Sequence, residues 1–174
     1  MFDDRKNAAN IGMLKTALIK SGAVISIEVD SQRPLLAHII EHETDAMNSV
    51  VCAFTLVRNP LNVEDIVLGT DDVVSLLFIT MDSFKLSTWK YVRELNCDYL
   101  DSFIFGLDLP SRRKAGFVGT SIVGGRIVEK FLKACLGQYP WDAWHDPNYL
   151  DKFLLSGSVR PEAIKYKKDF ENFL

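Results

Sequence analysis

His38-Ile-Ile-Glu41-His42 spells H-x-x-E-H, a zinc-peptidase pattern. The pattern works on a helix, where residues four apart share a face and two imidazoles reach one ion. Here the flanking residues read as a strand, which sets the two histidines roughly 13 Å apart along the chain at about 3.3 Å per residue. They are therefore expected to serve structure. Gly119-Thr-Ser-Ile-Val-Gly124-Gly125-Arg126 echoes a phosphate loop opening a helix, but Gly125 stands where the lysine belongs and Arg126 where the hydroxyl belongs. The simpler expectation is a glycine hinge at a helix start. His145, beside Trp144 and Asp146, has carboxylates nearby in Asp142, Asp146 and Asp151. No Ser or Cys nucleophile with a matching base is legible from spacing. No catalytic residue, metal or cofactor is expected.

Charge is distributed more informatively than motifs. The chain of 174 residues carries a net charge of −3. Residues 41–110 hold four basic side chains (Arg58, Lys85, Lys90, Arg93) against twelve acids, a net −8, whereas residues 111–174 are net +4. The acidic middle includes Glu64, Asp65, Asp71, Asp72, Asp98 and Asp101. Solvated loops are the plain explanation. The functional one is a surface that attracts a basic partner and speeds encounter with it. Nucleic acid is not an expected partner, because phosphates need a basic stripe that this section lacks.

Residues 137–155 hold two of the three Trp, Trp141 and Trp144, and two of the five Tyr. Such an aromatic cluster forms either a packed corner or a recognition surface. A hydrophobic corner is the expected use, with both Trp facing one way. Cys52, Cys97 and Cys135 are far apart with no C-x-x-C, so they read as buried, reduced thiols. No run of about 18 apolar residues marks a membrane span. The acidic start lacks the features of a signal peptide, so a cytoplasmic protein without a membrane partner is expected.

The elements that must position these residues follow from periodicity. Ile11, Leu14 and Leu18 predict a helix over 7–21, ended by Gly22. Residues 23–29 alternate with period two, a half-buried strand with Ser26 and Glu28 on its outer face. Strands are predicted at 35–41 (a hairpin return), 50–58 and 73–80, with shorter ones at 88–92 and 102–105. Residues 107–125 read as loop, including the basic trio Arg112-Arg113-Lys114. Residues 126–136 form an amphipathic helix with Glu129, Lys130 and Lys133 facing out. Asp146-Pro147 is a start signal for a further short helix burying Leu150, Phe153 and Leu154. The order predicts α+β: a mainly antiparallel sheet or small barrel with an N-terminal helix and two C-terminal helices. One domain is expected over 1–174, sheet-rich at 22–106 with a helical extension at 125–157.

The run Gly22-Ala-Val-Ile-Ser-Ile-Glu-Val and the block Ser87-Thr-Trp89-Lys-Tyr91 resemble the immunity protein 26 family. The stretch 124–155, with Y-P-W-D-A-W-x-D-P-x-Y-x-D-K-x-L after a helix, is similar to an extension of some members. The resemblance spans about residues 20–160. It implies a protein that binds and blocks the toxin domain of a polymorphic or contact-dependent inhibition system in the cytosol, with a nuclease as the expected toxin. Glu64, Asp65, Asp71 and Asp72 are the expected toxin contacts. Some relatives carry a phosphotriesterase-like label, which implies a small hydrolase using His38, His42 or His145 as the alternative. The His-rich metal cluster of such an enzyme is not legible in the chain.

Overall fold

The computed structural model describes residues 16–171. The predicted helix lies mostly outside the described residues. Its described part is one 3-10 turn, Thr16–Leu18, and Gly22 follows at φ +91°. Five strands come next: β1 (Ala23–Ile27), β2 (Leu35–Glu43), β3 (Ser49–Arg58), β4 (Val73–Thr80) and β5 (Trp89–Glu94). A two-residue β6 (Ile122–Val123) completes an open sheet of order β5-β1-β2-β3-β4-β6. Within this sheet β6 pairs in parallel, against Phe78 and Ile79, and the other described pairs are antiparallel. The architecture is α+β with a mainly antiparallel, open sheet.

Both faces of this sheet are covered. On one, Ile25 and Ile27 of β1, Ile39 of β2 and Phe54 of β3 pack against Val128, Phe131 and Leu132 of a helix, with Trp141 and Phe153 beyond it. On the other, Val51, Ala53 and Phe78 meet Leu100, Leu109 and Phe117, while Val24 and Leu36 meet Ile66. The double cover explains why β1 is buried on both sides and not half-buried. Ser26 lies at 4% exposure, its hydroxyl donating to the Lys90 carbonyl at 3.5 Å. Glu28, just beyond the strand, is exposed and pairs with Lys90.

The predicted strand at 102–105 is a helix, α1 (Asp101–Leu107), and α2 (Leu109–Lys114) occupies predicted loop. Phe103, Ile104 and Leu107 form a helical stripe against the second face of the sheet, and this tertiary contact overrides their strand propensity. Asp108 turns the chain in the left-handed region, φ +48°, and its carboxylate accepts from the Ser111 amide, so one residue ends α1 and caps α2. The basic trio is largely absorbed. Arg112 donates to the Leu107 carbonyl and the Thr120 hydroxyl, and Arg113 bridges Glu41 and Glu43 of β2 at 2.5 Å each.

Helix α3 (Gly125–Cys135) matches its amphipathic pattern except at Glu129, which was expected to face solvent and is buried. Its carboxylate accepts from the Trp89 indole at 3.1 Å, from the Thr88 hydroxyl and from Arg126 at 3.0 Å. An acid can sit at this position because each approach supplies a donor. Gly125 is a close-contact glycine at the helix start. A Cβ there would lie 2.8 Å from Ser83 and Leu86 side-chain atoms. Gly137, at φ +70°, ends the helix, and a Cβ there would overlap the Ala163 carbonyl oxygen. The second predicted C-terminal helix is a single 3-10 turn, Tyr149–Phe153. Asp146 closes a turn onto the Asn148 amide at 2.9 Å and does not cap an α-helix. A last short helix, α4 (Lys167–Glu171), lies beyond the predicted set.

Candidate interaction surface

The loop joining β3 to β4 builds an exposed, acidic surface. Asn59 and Pro60 stop β3, and the Asn59 amide is held by the Pro34 carbonyl at 2.7 Å. Asn62 folds its side chain onto the Glu64 amide at 3.2 Å, starting a 3-10 turn at Val63–Asp65. Ile66 then plugs into the core against Val24 and Leu36. The Gly69 amide donates to the Asp72 carboxylate at 2.7 Å, fixing a second turn at Thr70–Asp72. One buried anchor and two capped turns therefore hold the loop in place. Its outer side presents Leu61 at 92% and Val67 at 81% exposure.

The four predicted contact acids all lie on this loop with unequal roles. Glu64 is exposed but accepts from Arg93 of β5 at 2.9 Å, which offsets part of its charge. Asp65 and Asp71 are exposed, and neither carboxylate has a hydrogen-bond or ion-pair partner among the described residues. Asp72 spends its carboxylate on the Gly69 amide. Spacing gave no sign that a second acidic segment joins them. The Thr70 hydroxyl donates to the Tyr99 carbonyl at 3.3 Å, docking the loop against residues 96–101 with Asp98 and Asp101. Burial pushes the Tyr99 hydroxyl up, and the nearby Cys97 and Asp72 act in the same direction. Burial likewise raises the Cys97 thiol; hydrogen bonds with Ser21 and Gly22 oppose it, and the smaller effects of Asp98 and Asp101 add to it. Asp72 of the loop and Asp98 and Asp101 of the second segment thus lie near the same Cys97–Tyr99 stretch.

Beneath this surface lies His38, fully buried. Its Nε2 faces the carbonyls of Gly22 at 3.1 Å and Leu95 at 3.2 Å, so it carries the proton, and its Nδ1 accepts from the Tyr99 hydroxyl at 2.9 Å. Cys97 Sγ is 3.4 Å from the same Nε2. A protonated Nε2 offers the thiol no base, and the raised thiol is the reverse of an activated nucleophile. Cys97 is half-buried and not fully enclosed as expected; Cys52 and Cys135 are buried, the latter pushed up to about 12 by that burial. The H-x-x-E-H segment does lie on a strand. A bulge between Ile39 and Glu41 reverses the side-chain alternation, so Glu41 and Glu43 reach Arg113 while His42 turns to Asn48 at 2.6 Å. Among the described residues no group of three His, Cys, Asp or Glu side chains is placed to hold a metal ion.

Burial depresses the His38 imidazole, with the two carbonyl contacts opposing it only in part. The neutral ring is thus the folded-state form. The unfolded chain binds the proton more readily, so stability present above the ordinary imidazole value of about 6.5 is lost as pH falls below it. Denaturant unfolding between pH 7 and 5 is expected to show that loss, and His38→Gln to flatten it. A flat curve for the parent chain would contradict a buried neutral imidazole.

Both tryptophans belong to one hydrophobic cluster, as expected of a packed corner, but at different depths. Trp141 is fully buried against Phe131, its indole N–H donating to Asp151 at 3.0 Å, with Arg160 over its ring. Trp144 is half-buried on the rim, stacked on Tyr149 and edge-on to Tyr139. His145 is exposed.

An α+β domain with an open antiparallel sheet, showing solvent a fixed acidic loop with exposed aliphatic side chains, is thus the class defined by fold and surface. No family model matches the chain, and no curated protein or solved structure matches it. Among the described residues no helix is long and apolar enough to cross a membrane.

Proposed function

We propose that this chain is an immunity protein: it binds the toxin domain of a polymorphic or contact-dependent inhibition system in the cytoplasm and neutralises it. One observation carries the reading. Asp65 and Asp71 are exposed on the same loop as exposed Leu61 and Val67, and the Thr70–Tyr99 contact brings the segment of exposed Asp98 and Asp101 against that loop. An apolar centre with a charged border is the arrangement of a protein-binding surface. Its sign suits a basic partner, and a nuclease toxin, which must hold phosphates, supplies one. By occupying that basic groove or its border, the acidic surface would compete with nucleic acid. Fixed turns favour tight association because little loop ordering is left to be done on binding.

Titration calorimetry against the purified toxin domain encoded beside this chain tests the reading, followed by a toxicity assay on the mixture. Expected are a one-to-one complex with a Kd on the order of nanomolar and loss of toxin activity. A toxin that neither binds nor is inhibited at micromolar concentrations would end the proposal.

A further inference from the structure

A cavity of about 430 Å³ opens beside the acidic loop, between the start of β4 and residues 158–162. Its walls are apolar: Leu56, Val73, Val74, Leu154 and Pro161, with exposed Val159 at the mouth. Two carboxylates, Asp71 and Glu162, also line it, and neither has a hydrogen-bond or ion-pair partner among the described residues. Arg160 contributes to the wall without cancelling them. Its guanidinium is held by both Asp151 oxygens, at 2.7 and 2.5 Å, and reaches Asn148 and Tyr166. The Arg160–Asp151 pair is neutral, so the cavity retains the charge of two carboxylates.

An apolar slot with negative charge at its border fits a side chain that is aliphatic along its stem and cationic at its tip. Arginine and lysine have that form, and both bury their methylene stems while keeping the charged head near solvent or an anion. Arginine fits better, because its planar fork engages carboxylates through several N–H groups at once. We propose that this cavity is the anchor site for a protruding arginine of the protein partner. The stem packs on Val74, Leu154 and Val159, and the guanidinium meets Asp71 and Glu162. The assignment rests on the immunity reading for its partner. It adds a defined pocket and side chain to a diffuse acidic surface, and it brings in Glu162, nearly a hundred residues from the loop.

The test is an NMR titration of the full chain with N-acetyl-arginine methylamide and with its neutral isostere, N-acetyl-citrulline methylamide. The arginine probe should shift the signals of Val73, Val74, Leu154 and Val159, with affinity on the order of fivefold above the citrulline probe, the scale of an exposed charge pair. The double variant Asp71→Asn, Glu162→Gln keeps side-chain shape at exposed positions and should remove the difference. Equal responses to both probes, or shifts confined to other residues, would overturn the pocket. The toxin titration separates the two readings. A toxin bound equally by parent and double variant overturns the anchor and leaves immunity standing. A toxin bound by neither ends the immunity reading, while the probe titration still decides the pocket.

Discussion

Trp141→Ala is expected to destabilise the chain by about 3–5 kcal/mol, the range for truncating a large buried aromatic. Trp141 is fully enclosed against Phe131 and donates its indole N–H to Asp151, and that carboxylate also holds Arg160. Its amide donates to the Lys165 carbonyl at 2.8 Å, Pro140 pairs with Lys165, and the Lys167 amide donates to Asp142 at 2.8 Å. The side chain therefore packs α3 and, through Asp151, helps hold Arg160, while the neighbouring backbone bonds tie residues 140–142 to residues 165–167. Trp144→Ala is the contrast. That ring is half-buried between Tyr139 and Tyr149 on the rim, so its loss should cost only about 1 kcal/mol. Urea unfolding of the two variants measures the difference. Equal costs would contradict the division of the pair into core and rim.

The second large effect concerns association. The triple variant Asp65→Lys, Asp71→Lys, Asp98→Lys is expected to slow toxin binding by about 10- to 100-fold at low salt, with a much smaller change in dissociation. These acids are exposed on two adjoining segments and have no ion-pair partners among the described residues, so no bound cation offsets their field. Glu64→Lys alone should do less, because Arg93 already offsets Glu64. Stopped-flow association at two ionic strengths reads both. The gap between parent and variant should narrow as salt rises, since screening at about 0.1 M already acts over about 10 Å. Rates unchanged by the triple substitution would remove the surface from the mechanism without touching the fold. Thermal unfolding of the variant checks that the loop remains folded, since Ile66 and the Asp72 cap are left in place.

Local pattern carried much of the architecture. Period-two and β-branched runs located β2, β3 and β4 to within two residues at each end, because cross-strand packing and turn residues are both local signals. The stripe of α3 was legible for the same reason. Failures came where distant chain segments decide. Phe103 and Ile104 look like strand residues until the second face of the sheet demands a helix there. Glu129 looks solvent-exposed until Trp89 and Thr88 arrive with donors from another element.

The candidate surface divides in the same way. Its acids, their excess over bases and the turns at 62–65 and 69–72 belong to the sequence by itself, as charge and capping act over a few residues. Tertiary structure alone decided which acids remain unpaired. Arg93 claims Glu64, and Arg113 claims Glu41 and Glu43. It also placed Asp98 beside the loop, Glu162 across a cavity from Asp71, and His38 beneath them with its ring locked by Tyr99 and two carbonyls. Coulomb and hydrogen-bond energies depend on separation in space, and chain folding sets that separation through the packing of the two sheet faces.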